Sequence, residues 1–151
     1  FPSRILTASE VWLYEAEFLA STGDLGGAQT AFERGIELSL DWFDGKPGEI
    51  DEADESAYIA SLPALDATNA MDLIHQQQYI EVFERSPENW VHIKRTHYPR
   101  LPVPVQAAVG TIIRRYPYPP DEVSSNPNVP PMGVGYVGET MWFEPDTPIT
   151  P

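Results

Sequence analysis

Proline is spread so unevenly along this chain that it limits what each end can fold into. Twelve of the 16 prolines lie at Pro99 or beyond it, in a chain of 151 residues. Proline has no backbone N–H to donate and fixes its own φ, so a segment this rich in it cannot supply a long helix or a central strand. Acidic residues run the other way, with 18 of 23 placed before Tyr98. The chain therefore reads as mainly α: a helical region over residues 1–97, then a proline-rich extended tail, residues 98–151, wrapping the helices. Within the tail, Gly110–Tyr116 alternates weakly and is expected to form a short strand. The rest reads as irregular, including Met141-Trp142-Phe143.

Helical periodicity organises the first region. A helix is expected from about Thr7 to Ser21, with Val11, Tyr14 and Phe18 on one stripe and Trp12, Ala16 and Leu19 on another, so both sides need partners. Gly23 breaks it, and Asp24 is placed to cap a second helix carrying Leu25, Ala28, Phe32, Gly35, Ile36, Leu40 and Phe43. The order Trp12, Ala16, Leu19, Gly23, Ala28, Phe32, Gly35 resembles one tetratricopeptide (TPR) unit, a helical hairpin over about residues 7–43. Small residues let its helices approach, and aromatics fill the gap between them. One such unit cannot bury both faces alone, and the chain holds no second copy.

Asp41–Glu55 follows as a loop with seven carboxylates and one lysine. A short helix is expected over Glu52–Leu62. A Gln-rich helix pair then covers about residues 68–96. Its first member, Thr68–Arg85, turns Leu73, Ile74, Ile80 and Phe83 inward, and Ser86-Pro87-Glu88 starts the second. Lys94 and Arg95 sit in the last turn, where cations are favoured. Arg95 is read as a buried, hydrogen-bonded arginine that fixes the turn into the tail.

Bulk charge and motif spacing exclude several classes of chemistry. A net charge of −14 repels a phosphate backbone, so nucleic acid is not an expected partner. With no cysteine, thiol catalysis and thiolate metal sites are out. The acidic loop lacks EF-hand spacing and reads as a solvated loop ahead of a calcium site. His92 and His97 fall on different helix faces, with His75 remote, so no metal or other cofactor is expected. No nucleophile elbow, P-loop or dinucleotide glycine pattern is present. Trp12 and Trp90 occupy core-like helical positions. Trp42 at a helix end and Trp142 in the tail are the two tryptophans considered for stacking a ligand, although packing is the favoured reading for each.

Ile74–Pro99, IHQQQYIEVFERSPENWVHIKRTHYP, together with the hairpin, resembles the C-terminal region of the SusD/RagB family of bacterial outer-membrane nutrient-binding lipoproteins. In the second block the resemblance rests on Ile74, Gln77, Tyr79, Ile80, Phe83, Asn89, Trp90, Lys94, Arg95, Thr96, Tyr98, Pro99 and Leu101. In the hairpin it rests on Glu10, Val11, Leu13, Ala16, Glu17, Gly23, Ala28, Gly35, Ile36 and Ser39. Two departures stand out: Lys94-Arg95 replaces an arginine pair, and His97 stands where the family usually has glycine. The resemblance implies a fragment of a SusD-like α-α superhelix, with the chain as the C-terminal part of a larger polypeptide. It implies a lipid anchor in the upstream part, the extracellular face of a Bacteroidetes-type outer membrane as location, and a SusC-like TonB-dependent transporter as partner. An oligosaccharide, or less often another nutrient such as a peptide, would be handed to that transporter without a cofactor or turnover. A TPR-type scaffold for a protein partner is the alternative, and a glycan-active enzyme the third reading.

Overall fold

The computed structural model describes residues 4–133 and 135–144. Among them there are helices, turns and irregular segments and no strand, so the mainly α expectation holds. The chain divides into two compact units, Phe1–Asn89 and Trp90–Pro151.

The first unit is built on a hairpin of α1 (Ala8–Thr22) and α2 (Leu25–Asp41). Thr7 caps α1 by accepting the Glu10 backbone N–H at 3.1 Å. Gly23 ends it with φ 89°, a left-handed conformation that glycine adopts without Cβ strain. Asp24 then caps α2, its Oδ1 accepting the Gly27 N–H at 2.9 Å. With a two-residue turn the helices run back along each other. They pack tightly where Gly35 faces Leu13, and there Ser9 Oγ donates to the Gly35 carbonyl at 2.7 Å. Leu13, Ala16, Ala28, Ala31, Phe32 and Ile36 close the core of the hairpin, and Leu65, Ala70 and Ile74 complete it from the next elements.

One face of α1 differs from expectation. The buried stripe is Ser9, Leu13 and Ala16, whereas Trp12 is 39 % exposed and Val11, Tyr14 and Phe18 are more open still. Trp12 lies one residue, about 100°, around the helix from Leu13, at the margin of the packed face rather than in it. The second apolar stripe of α1 thus faces outward in this unit.

Two further helices cover the hairpin. α3 (Glu52–Ser61) starts at Asp51, whose Oδ1 accepts the N–H groups of Ala53 and Asp54 at 3.0 Å each. α4 (Ala70–Glu81) starts from a turn built by Asp66, whose Oδ1 takes the Thr68 hydroxyl at 2.6 Å and the Thr68 and Asn69 N–H groups at 2.7 and 2.9 Å. These bonds, the Thr68 hydroxyl first, hold the Asp66 carboxyl below its usual range. α4 ends earlier than expected, and its inward stripe is Ala70, Ile74, Gln78 and Glu81, followed by Val82. Ile74 is buried and Leu73 packs on the core as expected, but Ile80 and Phe83 are 50 % and 66 % exposed. The register explains this, because two polar residues, Gln78 and Glu81, occupy the positions that continue the Ala70–Ile74 row.

The second unit contains most of α5 (Ser86–Thr96) and the tail. The Trp90 ring lies 5.5 Å from that of Tyr116, with the Lys94 ammonium 4.4 Å above it. The expectation for Arg95 is corrected: Arg95 is exposed, and of the two adjacent cations Lys94 is the buried one. Lys94 shares the Trp90 face at i+4, and its Nζ meets Glu144 at 3.3 Å, while Arg95 is turned about 100° away. Arg114 also binds Glu144, at 2.7 Å through Nε, and donates to His97 Nε2 at 3.0 Å. His97 has φ 55°, in the left-handed region, which gives a physical reason for the glycine the resemblance expects there. Thr96 Oγ1 donates to the His92 carbonyl at 2.9 Å and accepts the Tyr98 N–H at 3.1 Å, fixing the turn into a cis Tyr98–Pro99 bond.

The tail is less uniform than its composition suggests. No strand forms at Gly110–Tyr116. Gly110 turns the chain with φ 62°, and the Arg114 and Arg115 N–H groups converge on one acceptor, the Val137 carbonyl, rather than alternating along a ladder. A short helix, α6 (Pro120–Ser125), and one 3-10 turn at Tyr136–Gly138 interrupt the irregular backbone. Proline is tolerated in a first helical turn, where its missing donor is not needed.

Candidate functional site

Of the two tryptophans singled out from sequence, Trp42 lies in a cleft of the first unit. Trp142, in the second unit, is 93 % exposed and meets only the edge of Phe143, at 5.5 Å, among the ring contacts of the described residues. Trp42 follows the last residue of α2 as its C-cap, half-buried. The Arg4 guanidinium stands 5.4 Å and the Lys46 ammonium 4.2 Å from its ring centre, and Lys46 Nζ also bonds the Trp42 carbonyl. Cations over an indole are held by its electron-rich face.

The cleft beside this ring measures about 520 Å³ and is bounded by the chain entering α1, by Leu38 and Trp42 of the α2 end, and by Glu81. Its volume falls within the range usual for small-molecule sites. Glu81 is 3 % exposed and forms the polar floor. Its carboxylate accepts from Thr7 Oγ1 at 2.7 Å, Ser39 Oγ at 2.6 Å and Arg4 Nη1 at 3.3 Å, so the buried charge is both paired and hydrogen-bonded. A second pair, Arg85 to Glu10 at 2.6 Å, ties the chain before α1 to the end of α4, since Arg85 also donates to the Ile5 carbonyl at 2.6 Å. Such a cleft combines an indole, aliphatic wall from Ile5, Leu6 and Leu38, and a neutralised polar floor.

The motif residues are dispersed by role. Gly23, Ala28, Phe32 and Gly35 build the hairpin, with Phe32 1 % exposed in its core. Gln77 donates to the Tyr58 hydroxyl at 2.9 Å on the outer side of α4, whereas its neighbour Gln78 is the buried one, bonding the Leu13 carbonyl at 3.2 Å and Glu17 at 2.8 Å. Trp90 lies midway along α5, and Thr96, Tyr98 and Pro99 shape its end. None of these residues lines the Trp42 cleft. Glu81 was missed by sequence reasoning, although the row Ala70, Ile74, Gln78, Glu81 at helical spacing carried the signal. Among the described residues no group of three or more histidines and carboxylates is placed to hold a metal ion, and no helix is long and apolar enough to cross a membrane.

Fold and motif together define a mainly α protein built on a helical hairpin. Residues 1–119 match a SusD-like family model described as "Starch-binding associating with outer membrane", and the chain belongs to that family. No curated protein and no solved structure matches it.

Proposed function

We propose that this chain serves glycan uptake at the extracellular face of the outer membrane, as part of a lipid-anchored protein that passes its ligand to a SusC-like TonB-dependent transporter. The observation that carries the reading is the family match over residues 1–119, since the family is one of starch binding in association with the outer membrane. A binding role without turnover follows from it. The outward apolar stripe of α1, Val11, Tyr14 and Phe18, supports a larger helical array in which upstream sequence of the same polypeptide packs on this face. Within the described residues we assign the Trp42 cleft as the glycan contact. A pyranose ring offers C–H groups to an indole and hydroxyls to polar groups, which suits an aromatic wall above a charge-neutral floor.

Isothermal titration calorimetry with maltoheptaose tests the assignment. Trp42→Ala is expected to weaken binding by tenfold or more, about 1.4 kcal/mol, while the melting temperature stays within a few degrees of the parent. Unchanged affinity in that variant removes Trp42 from the site. Co-purification of a TonB-dependent transporter from the native outer membrane tests the partner, and its absence under mild detergent contradicts the transport role.

A further inference from the structure

Two further cavities adjoin on the first unit, and they share no lining residue with the Trp42 cleft. One, about 320 Å³, lies between the C-terminal half of α2, α3 and α4, and its wall is mainly carbon from Ile36, Leu40, Ile50, Tyr58 and Ile80. The other, about 530 Å³, is lined by seven carboxylates between Glu37 and Glu55, with Arg34 the one cation among the described residues that line it. Ile50 and Glu55 belong to both. These two residues form a common wall between an apolar pocket and an acidic one.

Local structure accounts for part of the acidic lining. Glu37 pairs with Arg34 at 2.9 Å, Glu49 accepts the Gly45 N–H at 3.1 Å, and Asp51 caps α3. The positive end of α3 also favours Glu52 and Glu55 in its first turn. Asp41 and Asp44 lie outside that turn, so the helix end does not explain them. Glu55 Oε1 is shielded from solvent and has no hydrogen-bond partner among the described residues. Partial burial first, then the charges of Asp44, Asp41, Glu52 and Asp51, raise the Glu55 carboxyl above its ordinary range, and an added cation offsets the like-charge repulsion.

We propose that this double cleft docks a cationic amphipathic peptide segment, with an aliphatic side chain in the Ile36–Leu40–Ile80 cavity and a neighbouring arginine or lysine among Asp41, Asp44 and Glu55. Charge complementarity selects the occupant. An aliphatic ligand alone gains nothing from the carboxylates, and a bare cation leaves the apolar wall wet. The surface is separate from the glycan reading, and a failed glycan screen leaves it standing.

Calorimetry on the whole chain tests it with three acetylated, amidated pentapeptides: Leu-Arg-Leu-Arg-Leu, Gly-Arg-Gly-Arg-Gly and Leu-Glu-Leu-Glu-Leu. The first is expected to bind at least tenfold more tightly than either of the others. Raising sodium chloride from about 50 to about 500 mM is expected to weaken it severalfold by screening. Glu55→Gln with Asp44→Asn, and separately Ile80→Ser, are each expected to weaken it by fivefold or more, with circular dichroism melting confirming that both variants fold. Equal binding of the Gly-Arg peptide would show diffuse charge attraction and overturn the proposal. So would affinity unchanged in both variants, or no heat from the Leu-Arg peptide at about 1 mM, the weak limit of specific binding.

Discussion

Replacing Gly35 with alanine sets two effects of opposite sign against each other, and the hairpin geometry decides between them. Removing a glycine from a helix interior stabilises by about 1 kcal/mol, because the unfolded chain loses freedom. The added Cβ, however, would stand 2.8 and 2.9 Å from Leu13 Cγ and Cδ2, and 3.3 Å from the Ser9 carbonyl oxygen. Carbon contacts are comfortable at roughly 3.5–4.0 Å. Leu13 is 1 % exposed and enclosed by the core, so it cannot swing aside, and the α1 backbone must retreat. Overpacking of this kind costs about 1–3 kcal/mol. The retreat also stretches the 2.7 Å Ser9–Gly35 hydrogen bond, a further loss of about 1 kcal/mol. The net expectation is destabilisation by about 1–3 kcal/mol. Gly26→Ala is the internal control, since its nearest neighbour would be Asp24 Oδ1 at an ordinary 3.8 Å. That substitution is expected to be neutral or stabilising by up to about 1 kcal/mol. Urea unfolding followed by far-ultraviolet circular dichroism reads both, provided the slopes agree. Equal midpoints for the two variants would refute the close helix approach at Gly35.

Three other perturbations probe separate parts of the structure. Phe32→Ala should destabilise by about 3–5 kcal/mol in the same assay, because the ring fills the space between α1 and α2; a loss well under about 1 kcal/mol would mean that it does not. Glu55 has a folded pKa raised above 4.5, so the folded state binds the extra proton and stability falls as pH rises between the unfolded and folded values. Glu55→Gln should therefore melt higher than the parent near neutral pH, with the gap closing below pH 4.5, and melting curves across pH check the sign. Asp66 has the opposite sense: with its folded pKa held below 3.8, its contribution is complete above that value and disappears as pH falls through the folded one. Asp66→Ala should melt lower than the parent at neutral pH and converge with it in strong acid, and a constant gap at all pH values would contradict the capping role of its carboxylate.

What was legible in the sequence was local. Gly23 and Asp24 mark the hairpin turn as a helix stop and a cap, and small residues at Ala28 and Gly35 mark the helix contact. All of these act over a few neighbouring residues or across a single two-residue turn. The misreadings share another cause. α1 is apolar on more than one side, so periodicity alone does not say which stripe meets α2, and it puts Trp12 in the core rather than at its margin. On α4, Ile80 and Phe83 looked like inward residues, but the polar side chains of Gln78 and Glu81 continue the buried row because distant partners satisfy them: Leu13 and Glu17 for one, Arg4, Thr7 and Ser39 for the other. Nothing near Glu81 in sequence announces a cation contributed from Arg4. The exchange of Lys94 for Arg95 is similar, since the deciding partner is Glu144, far along the tail. In the tail itself, proline excluded a long helix correctly and yet began a short one at Pro120.

The claim on which the account most depends is that the protein binds starch at the outer membrane. Native electrophoresis through gels containing soluble starch measures this directly on protein purified from its own outer membrane. The account predicts slowed migration that free maltoheptaose reverses. Migration identical with and without starch, for protein confirmed as folded, would contradict it.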